Sequence, residues 1–576
     1  MTTETPARHN FSDARSLALA RENSVLWTLW LTYGAFYFCR TNLSAAVPGM
    51  NSPVSAGGLG LTGEQTGWIL ASLKIAYGLG QVLNGQLSER ISPRVLLAIG
   101  MFCSAGLNVL FGFSEGFFFL VFVWATNGFC QSLGWTPCVR VMANWVPVPR
   151  RGHAVGLIGT GYQITQGLTY LIAGQAAEHL GWRGALYAPA ILLALTGVFM
   201  LVFLREAPES DRGQAPQNSE LAEQSPTSTQ SSIPPILNSA VPDPGLPMAR
   251  SKMSLAESLY WTLYNPALWL LGLSLGLLNA CRYGFTDWGV KHLVDTQKIG
   301  VGKATLQFFV IAIGATAGSY LAGWATDRFF GSRRAPVVCL LMLLLGALSP
   351  VYGYVAGQSV VGTMVVLVVI GFCIFGPQVL LVGTAPADLA HRGTSAAAAG
   401  FVNFLGYMGA ATGDVVTGHF SSASQGGWRI VIFIWAGWAF LGAAITGLLW
   451  NTTSRRVVVM PGNVPKFAAL MALAVASFAI HHGYQPTELQ WATSIGVAAL
   501  VVAFVNRWFA MLGIIVSVAG VLTVFAGYLR WSGITWDQTT AMVAYGLTIV
   551  FALMVLIEQK EKPCELLSSP PDAAGA

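Results

Sequence analysis

Two arginines stand where charge is expensive, and they set the chemistry this sequence can perform. Arg40 lies in YGAFYFCRTNLSAAVPG, residues 33–49, a stretch that otherwise reads as membrane-spanning, with no other charged side chain between Glu22 and Glu64. An arginine near the middle of a spanning helix costs about 2.5–3.5 kcal/mol on insertion scales, so it is usually retained for a function. What such a group most often needs is an anion. Arg282 repeats the feature, thirteen residues after Trp269 just as Arg40 lies thirteen after Trp27. In the bland reading each arginine snorkels to an interface or neutralises a buried acid such as Asp287 or Asp414. In the sharp reading they form a paired anion clamp.

The elements that position these groups follow from composition. The chain has 576 residues, 54% hydrophobic and only 10% charged, with a mean hydropathy of +0.58. This is far from the soluble norm of about a quarter charged residues. Its apolar runs are continuous and helix-length rather than alternating segments of about ten, which predicts an all-α polytopic membrane protein and not a barrel. The polar start, with Arg8, Arg15 and Arg21, shows no signal-peptide pattern, so the first helix is expected to be retained. Most cysteines (Cys39, Cys103, Cys130, Cys138, Cys281, Cys339, Cys373) sit inside apolar runs without metal or disulfide spacing and read as small packing residues. The net charge of +6 falls mainly in short loops, where membrane orientation explains it. No nucleic-acid partner, cofactor, metal site or catalytic constellation is expected.

Hydropathy breaks predict six helices at roughly 24–46, 64–83, 95–113, 117–144, 152–175 and 184–204, after an N-terminal tail of residues 1–23. Arg90, Arg94, Arg150, Arg151 and Arg205 then share the side of the N-terminus, which the positive-inside rule makes cytoplasmic. Residues 206–263 are expected to be a disordered cytoplasmic linker, with eight prolines between Pro208 and Pro247. Six more helices follow at about 264–290, 304–325, 335–356, 360–387, 393–417 and 428–450, within a second bundle of residues 264–456. The halves echo one another: GQLSER at 85 and GWATDR at 323, GFC at 128 and 371, RG at 151 and 392, and GWR at 181 and 427 recur at offsets of 238 to 246. A parallel repeat of six helices yields two bundles with a binding site at their midplane interface. Four further apolar runs between 457 and 560 read as an added membrane module. They are followed by a tail of 561–576, with both termini expected in the cytoplasm. A lone His481–His482 pair there reads as an interface feature rather than a metal site, and the module as packing against the bundle or mediating self-association or partner contact.

The loop GQLSERISPR, residues 85–94, resembles the signature after helix 2 of major facilitator transporters, with Glu89 in place of the usual aspartate. Glu89, Arg90, Asp327 and Arg328 are then expected to form a charge network that breaks and reforms as the bundles rock. FYFCRTNLSAAVPG, AYG at 76–78, NGFCQSLGWTPCVR at 127–140, GWRGALYAPA at 181–190, RYGFTDW at 282–288, IFGPQ at 374–378 and RGTSAAAAGFVNFLGYMG at 392–409 narrow the resemblance. They are similar to the organophosphate:phosphate antiporters, the group of the glycerol-3-phosphate and hexose-phosphate transporters. That resemblance implies a twelve-helix fold in an inner membrane, to which the four further apolar runs, without counterpart in that pattern, add about four helices. It also implies exchange of a phosphorylated metabolite for inorganic phosphate; a receptor-like sensor of a sugar phosphate in the same family is the alternative. It makes Arg40 and Arg282 the phosphate-binding pair, and Tyr33, Tyr37, Tyr77, Tyr407 and Trp135 cavity residues. The chemistry agrees, because two planar forks neutralise a phosphate monoester of about −1.5 to −2.

The departures matter as much. Thr41 stands where many members carry a lysine, Gln81 where they carry another, Tyr162 replaces a histidine and Ala312 an acid. Lys74, two turns before Gln81 on the same helix face, is the candidate replacement cation, its alternative being to snorkel outward. Without the histidine, Asp414 is the candidate titrating group, its alternative being a static partner for a cationic neighbour.

Overall fold

The computed structural model describes residues 7–147, 150–207, 255–391, 394–422, 427–452, 460–482, 487–503, 506–531 and 536–557. The central part of the expected linker, the expected tail of 561–576 and the side chain of Glu89 lie outside the described residues. The protein is all-helical, as expected. In the N-terminal half the helices are α1 (Ala7–Ala35), α2 (Leu43–Asn51), α3 (Gly63–Arg90), α4 (Pro93–Gly112), α5 (Phe117–Gln131), α6 (Trp135–Trp145), α7 (Arg151–Leu180) and α8 (Gly184–Phe203). After α9 (Leu255–Leu263) come α10 (Pro266–Gln297), α11 (Val301–Phe308), α12 (Ile311–Phe329), α13 (Ala335–Val355), α14 (Val360–Val379), α15 (Ala385–Leu389), α16 (Ser395–Phe420) and α17 (Gly427–Gly447). The last four are α18 (Asn463–His482), α19 (Thr487–Val502), α20 (Ala510–Trp531) and α21 (Trp536–Ile557).

Two boundaries depart from expectation. The N-terminal tail is helical from Ala7 and runs without a break into the first span. The last nine residues of the expected linker form α9, which meets α10 at a bend of 71°. Ten helices among the described residues are long and apolar enough to cross a membrane, or eleven if the bent pair is one span. The long helices α1, α3, α7 and α16 are not among the ten. They carry the polar residues described below, and a helix that lines a polar cavity need not be apolar all round.

One compact unit comprises residues 1–252, 271–385 and 402–452. Its internal repeat is visible in packing as well as in sequence. In the N-terminal half α3 packs on α5 and α4 on α8; in the C-terminal half the corresponding pairs are α12 on α14 and α13 on α17. The halves meet at the end where α3 begins. A methyl group added at Gly63 would lie 2.3 Å from the Gly418 carbonyl oxygen, and one at Gly67 would lie 2.6 Å from that of Asp414. Only glycine permits so close an approach of backbones. At the same end His419 Nδ1 lies 3.4 Å from the Glu64 carboxylate, and the Gly302 N–H donates to Glu178 at 2.9 Å.

A second compact unit comprises residues 253–270, 386–401 and 453–576. Leu473, Ile480, Leu500, Val524 and Tyr545 are among its core residues. The Tyr545 hydroxyl meets that of Thr493 at 2.6 Å, so the buried phenol is satisfied within the unit. Tyr264 donates to the Met554 carbonyl at 2.9 Å, and Trp269 stacks on Phe551. Residues just before and at the start of α10 therefore pack on the last helix.

Candidate functional site

The first span is not the continuous helix expected over 24–46. It breaks into a 3-10 turn at Phe36–Cys39 and resumes as α2 at Leu43. Thr41 and Asn42 help to cause this, because short polar side chains offer the backbone bonds that compete with a helix. The Thr41 hydroxyl donates to the Tyr37 carbonyl, while Asn42 Nδ2 leaves its own helix to donate to Asn108 and to the Ala185 carbonyl. A break within a membrane must satisfy the carbonyls it frees. Asn127 donates to Cys39 O at 2.9 Å and Asn108 to the same oxygen at 3.4 Å.

The break aims Arg40. Its Nε donates to Gln131 Oε1 at 3.2 Å and its Nη2 to the Gln131 carbonyl at 3.4 Å, at the point where α5 ends and the fourth span is itself interrupted before α6. Gln131 in turn donates to Ser104, and Ser104 to Asn127, so one buried polar network both closes the helix break and orients the guanidinium. The face of Arg40 lies 4.7 Å from the Tyr37 ring and 4.2 Å from the Tyr77 ring.

Arg282 sits in the middle of α10, its guanidinium 4.8 Å from the Tyr283 ring and 4.8 Å from that of Phe375. Its Nε is buried without a hydrogen-bond partner. Among the described residues no carboxylate forms an ion pair with either arginine. The alternative in which they neutralise Asp287 and Asp414 is therefore not what the chain does.

Those two acids belong to Lys74. From α3 the ammonium reaches Asp287 on α10 and lies 2.7 Å from Asp414 on α16, with all three side chains almost wholly buried. This corrects the expectation that Lys74 replaces a missing ligand-binding cation, because its charge is more than matched by two carboxylates. Asp414 is the partner of a cation, as its alternative reading had it, and it also accepts from Trp288 Nε1 at 3.3 Å.

The aromatic residues expected in the cavity gather around the arginines. Tyr33 packs on Trp135 at 4.8 Å between ring centroids, Tyr37 stacks on Tyr162 at 4.9 Å, and Tyr77 contacts Tyr407 at 4.6 Å across the two halves. Tyr37 and Tyr407 each lie within electrostatic reach of both guanidiniums. The residues of the expected rocking network lie apart from it, at the far end of α3 and α12. Arg90 is exposed. Asp327 pairs with Arg334 at 3.0 Å and accepts from Ser332 rather than engaging Arg328. Arg140, not singled out from the sequence, donates to the Ser88 and Ile91 carbonyls at the end of α3. Gln131, Ser104, Asn108 and Asn127 were also missed as a set. Their signal was available: polar residues four apart in apolar runs, 104 with 108 and 127 with 131, share a helix face.

Comparison with known proteins finds relatives over most of the chain. The profile of the Major Facilitator Superfamily matches residues 29–414. A probable hexose phosphate transport protein of Chlamydia trachomatis is 28% identical over 442 residues, covering 75% of this chain and 91% of that one. The glycerol-3-phosphate transporter of Bacillus subtilis is 28% identical over 443 residues, covering 74% and 92%. The membrane sensor protein UhpC of Salmonella typhimurium is 29% identical over 399 residues, covering 67% and 82%. Among solved structures, an inward-facing bacterial homologue of the human lysosomal transporter Spinster superposes with a TM-score of 0.59 at 14% identity, covering 75% of this chain and 98% of that one.

Proposed function

The chain belongs to the major facilitator superfamily, and from that premise we propose that it carries a phosphorylated small metabolite across the membrane by alternating access, in exchange for inorganic phosphate. A sugar phosphate, glycerol phosphate or phosphoglycerate fits the reading. One observation carries it: among the described residues, two buried guanidiniums have no carboxylate partner, while the buried Lys74 has two. A guanidinium in a low-dielectric interior needs a compensating anion, and a phosphoryl group supplies both the charge and the paired oxygens that a planar fork bonds. In this reading Arg40 and Arg282 grip the phosphoryl group from opposite halves. The ring of Tyr33, Tyr37, Tyr77, Trp135, Tyr162 and Tyr407 walls the chamber and offers O–H and N–H donors to the organic part. Empty, the paired positive charge opposes closure of the halves; bound phosphate removes that opposition, which couples binding to reorientation and favours exchange over leak. Glu89, Arg90, Asp327 and Arg328 would adjust the far end of the bundles as they rock. An inner-membrane location with cytoplasmic termini is part of the same proposal.

The sensor reading keeps one support of its own, the similarity to a membrane sensor protein over most of that protein's length. One assay separates them. Liposomes containing the purified protein and loaded with phosphate should take up labelled phosphate much faster than unloaded ones. Binding of a phosphorylated sugar without exchange or net uptake under any gradient would replace the transporter reading by the sensor.

A further inference from the structure

The cluster of Lys74, Asp287 and Asp414 is not explained by gripping a phosphate. Lys74 comes from the N-terminal half and both carboxylates from the C-terminal half, on different helices. The groups facing the cluster are few. The Tyr283 ring lies 4.8 Å from the ammonium, Trp288 donates to Asp414, and the Thr286 hydroxyl lies 3.4 Å from Asp287. From α7, Tyr170 donates to the Thr286 carbonyl at 3.0 Å and lies within electrostatic reach of Asp287 and Arg282. Glu64 and His419 sit farther along α3 and α16, engaged with each other. Among the described residues no second cation forms an ion pair with Asp287 or Asp414, so the three groups sum to −1 when all are ionised.

Charge balance gives this a consequence. In the empty chamber the two arginines add +2, and the five groups together sum to +1. A doubly charged phosphoryl ligand cancels the arginines and leaves −1 in a closed, dry interior, where an uncompensated charge costs several kcal/mol. Two carboxylates sharing one site relieve that cost by holding a proton between them. Resting on the phosphate-site reading above, we propose that binding of a doubly charged phosphoryl group draws one proton onto the Asp287–Asp414 pair, so that each ligand crosses in a neutral assembly together with a proton. The proton comes from water on the side to which the chamber is open and adds to a carboxylate oxygen. It leaves to water when the halves part on the other side and the ligand departs, because the empty chamber is already net positive with both carboxylates ionised and paired to Lys74. By reciprocity, protons tighten phosphate binding by the same factor as phosphate tightens proton binding.

Calorimetric titration of the full-length protein with inorganic phosphate tests this, in buffers of different ionisation enthalpy at about pH 8.5. At that pH free inorganic phosphate is almost wholly the dianion, so a proton taken up on binding is newly acquired by the complex, and Asp414→Asn tells whether the carboxylate pair holds it. Wild type should take up about one proton per phosphate bound. Asp414→Asn leaves Lys74 with a single carboxylate, already neutral, and should take up none; Asp414→Glu should restore the proton. Zero uptake by wild type, or a full proton taken up by Asp414→Asn, overturns the inference while leaving the phosphate site standing. If Asp414→Asn does not fold, the proton counts of wild type and Asp414→Glu decide the question alone. Failure of wild type to bind phosphate at all overturns the phosphate-site reading, and this inference with it.

Discussion

Replacing Arg282 by lysine tests the clamp most sharply, because it keeps the charge and removes only the fork. Arg282 has a buried Nε without a protein partner and a guanidinium flanked by the rings of Tyr283 and Phe375, so its donors are free for a ligand and its plane is held. Lysine offers a point charge that can bond one phosphate oxygen where the fork bonds two. The loss is one hydrogen bond to a charged group, about 1.5–3 kcal/mol, which corresponds to roughly a ten- to hundredfold weaker affinity. Arg282→Met removes the charge as well and should cost about 2–5 kcal/mol, or roughly thirty- to several thousandfold. Isothermal titration of the purified protein with inorganic phosphate measures both, and labelled phosphate exchange in liposomes should fall in the same order. An Arg282→Lys protein that binds phosphate within twofold of wild type would refute the bidentate grip, whatever its transport rate.

Three further perturbations follow from the same geometry. Gln131→Ala removes the side-chain bond that Arg40 Nε makes and leaves the one to the backbone carbonyl; losing an orienting contact of about 0.5–1.5 kcal/mol should weaken phosphate binding roughly two- to tenfold, and unchanged affinity would deny the Gln131 side chain a positioning role. Asn127→Leu strips the Cys39 carbonyl of its shorter hydrogen bond inside the bundle, so thermal unfolding should show a loss of about 1–3 kcal/mol; a variant as stable as wild type would mean that Asn108 alone satisfies the break. Gly67→Leu places a side chain where even a methyl group would lie 2.6 Å from the Asp414 carbonyl oxygen, so the halves should no longer close at that end. Exchange should be lost while the unfolding temperature is kept, and wild-type exchange by this variant would contradict closure there.

The reading of the sequence reached different depths for identifiable physical reasons. The all-helical class and the repeat were legible because hydropathy and landmark spacing are local properties, and so was the burial of Arg40 and Arg282, since a charge isolated in an apolar run announces itself. Lys74 was found, but its role was not legible: the sequence leaves open whether it snorkels outward, and whether it faces a ligand or an acid depends on α10 and α16, more than two hundred residues away. The break after Ala35 was missed because no proline marks it, and the adjacent Gly34 serves a close helix contact with Gly161 and Thr165. It exists because Asn42, Asn108 and Asn127 from three spans meet there, and each alone looks like an ordinary polar residue in a helix. Hydropathy also understates the helices that matter most. Of the long helices that are not apolar enough to count as spans, α1 leads into the turn holding Arg40, α3 carries Lys74 and Tyr77, α7 carries Tyr162, and α16 carries Asp414 and Tyr407. In a membrane, a ligand chamber has to be built from segments that look least like membrane, so weak spans within a strong repeat locate a binding site before any side chain is placed.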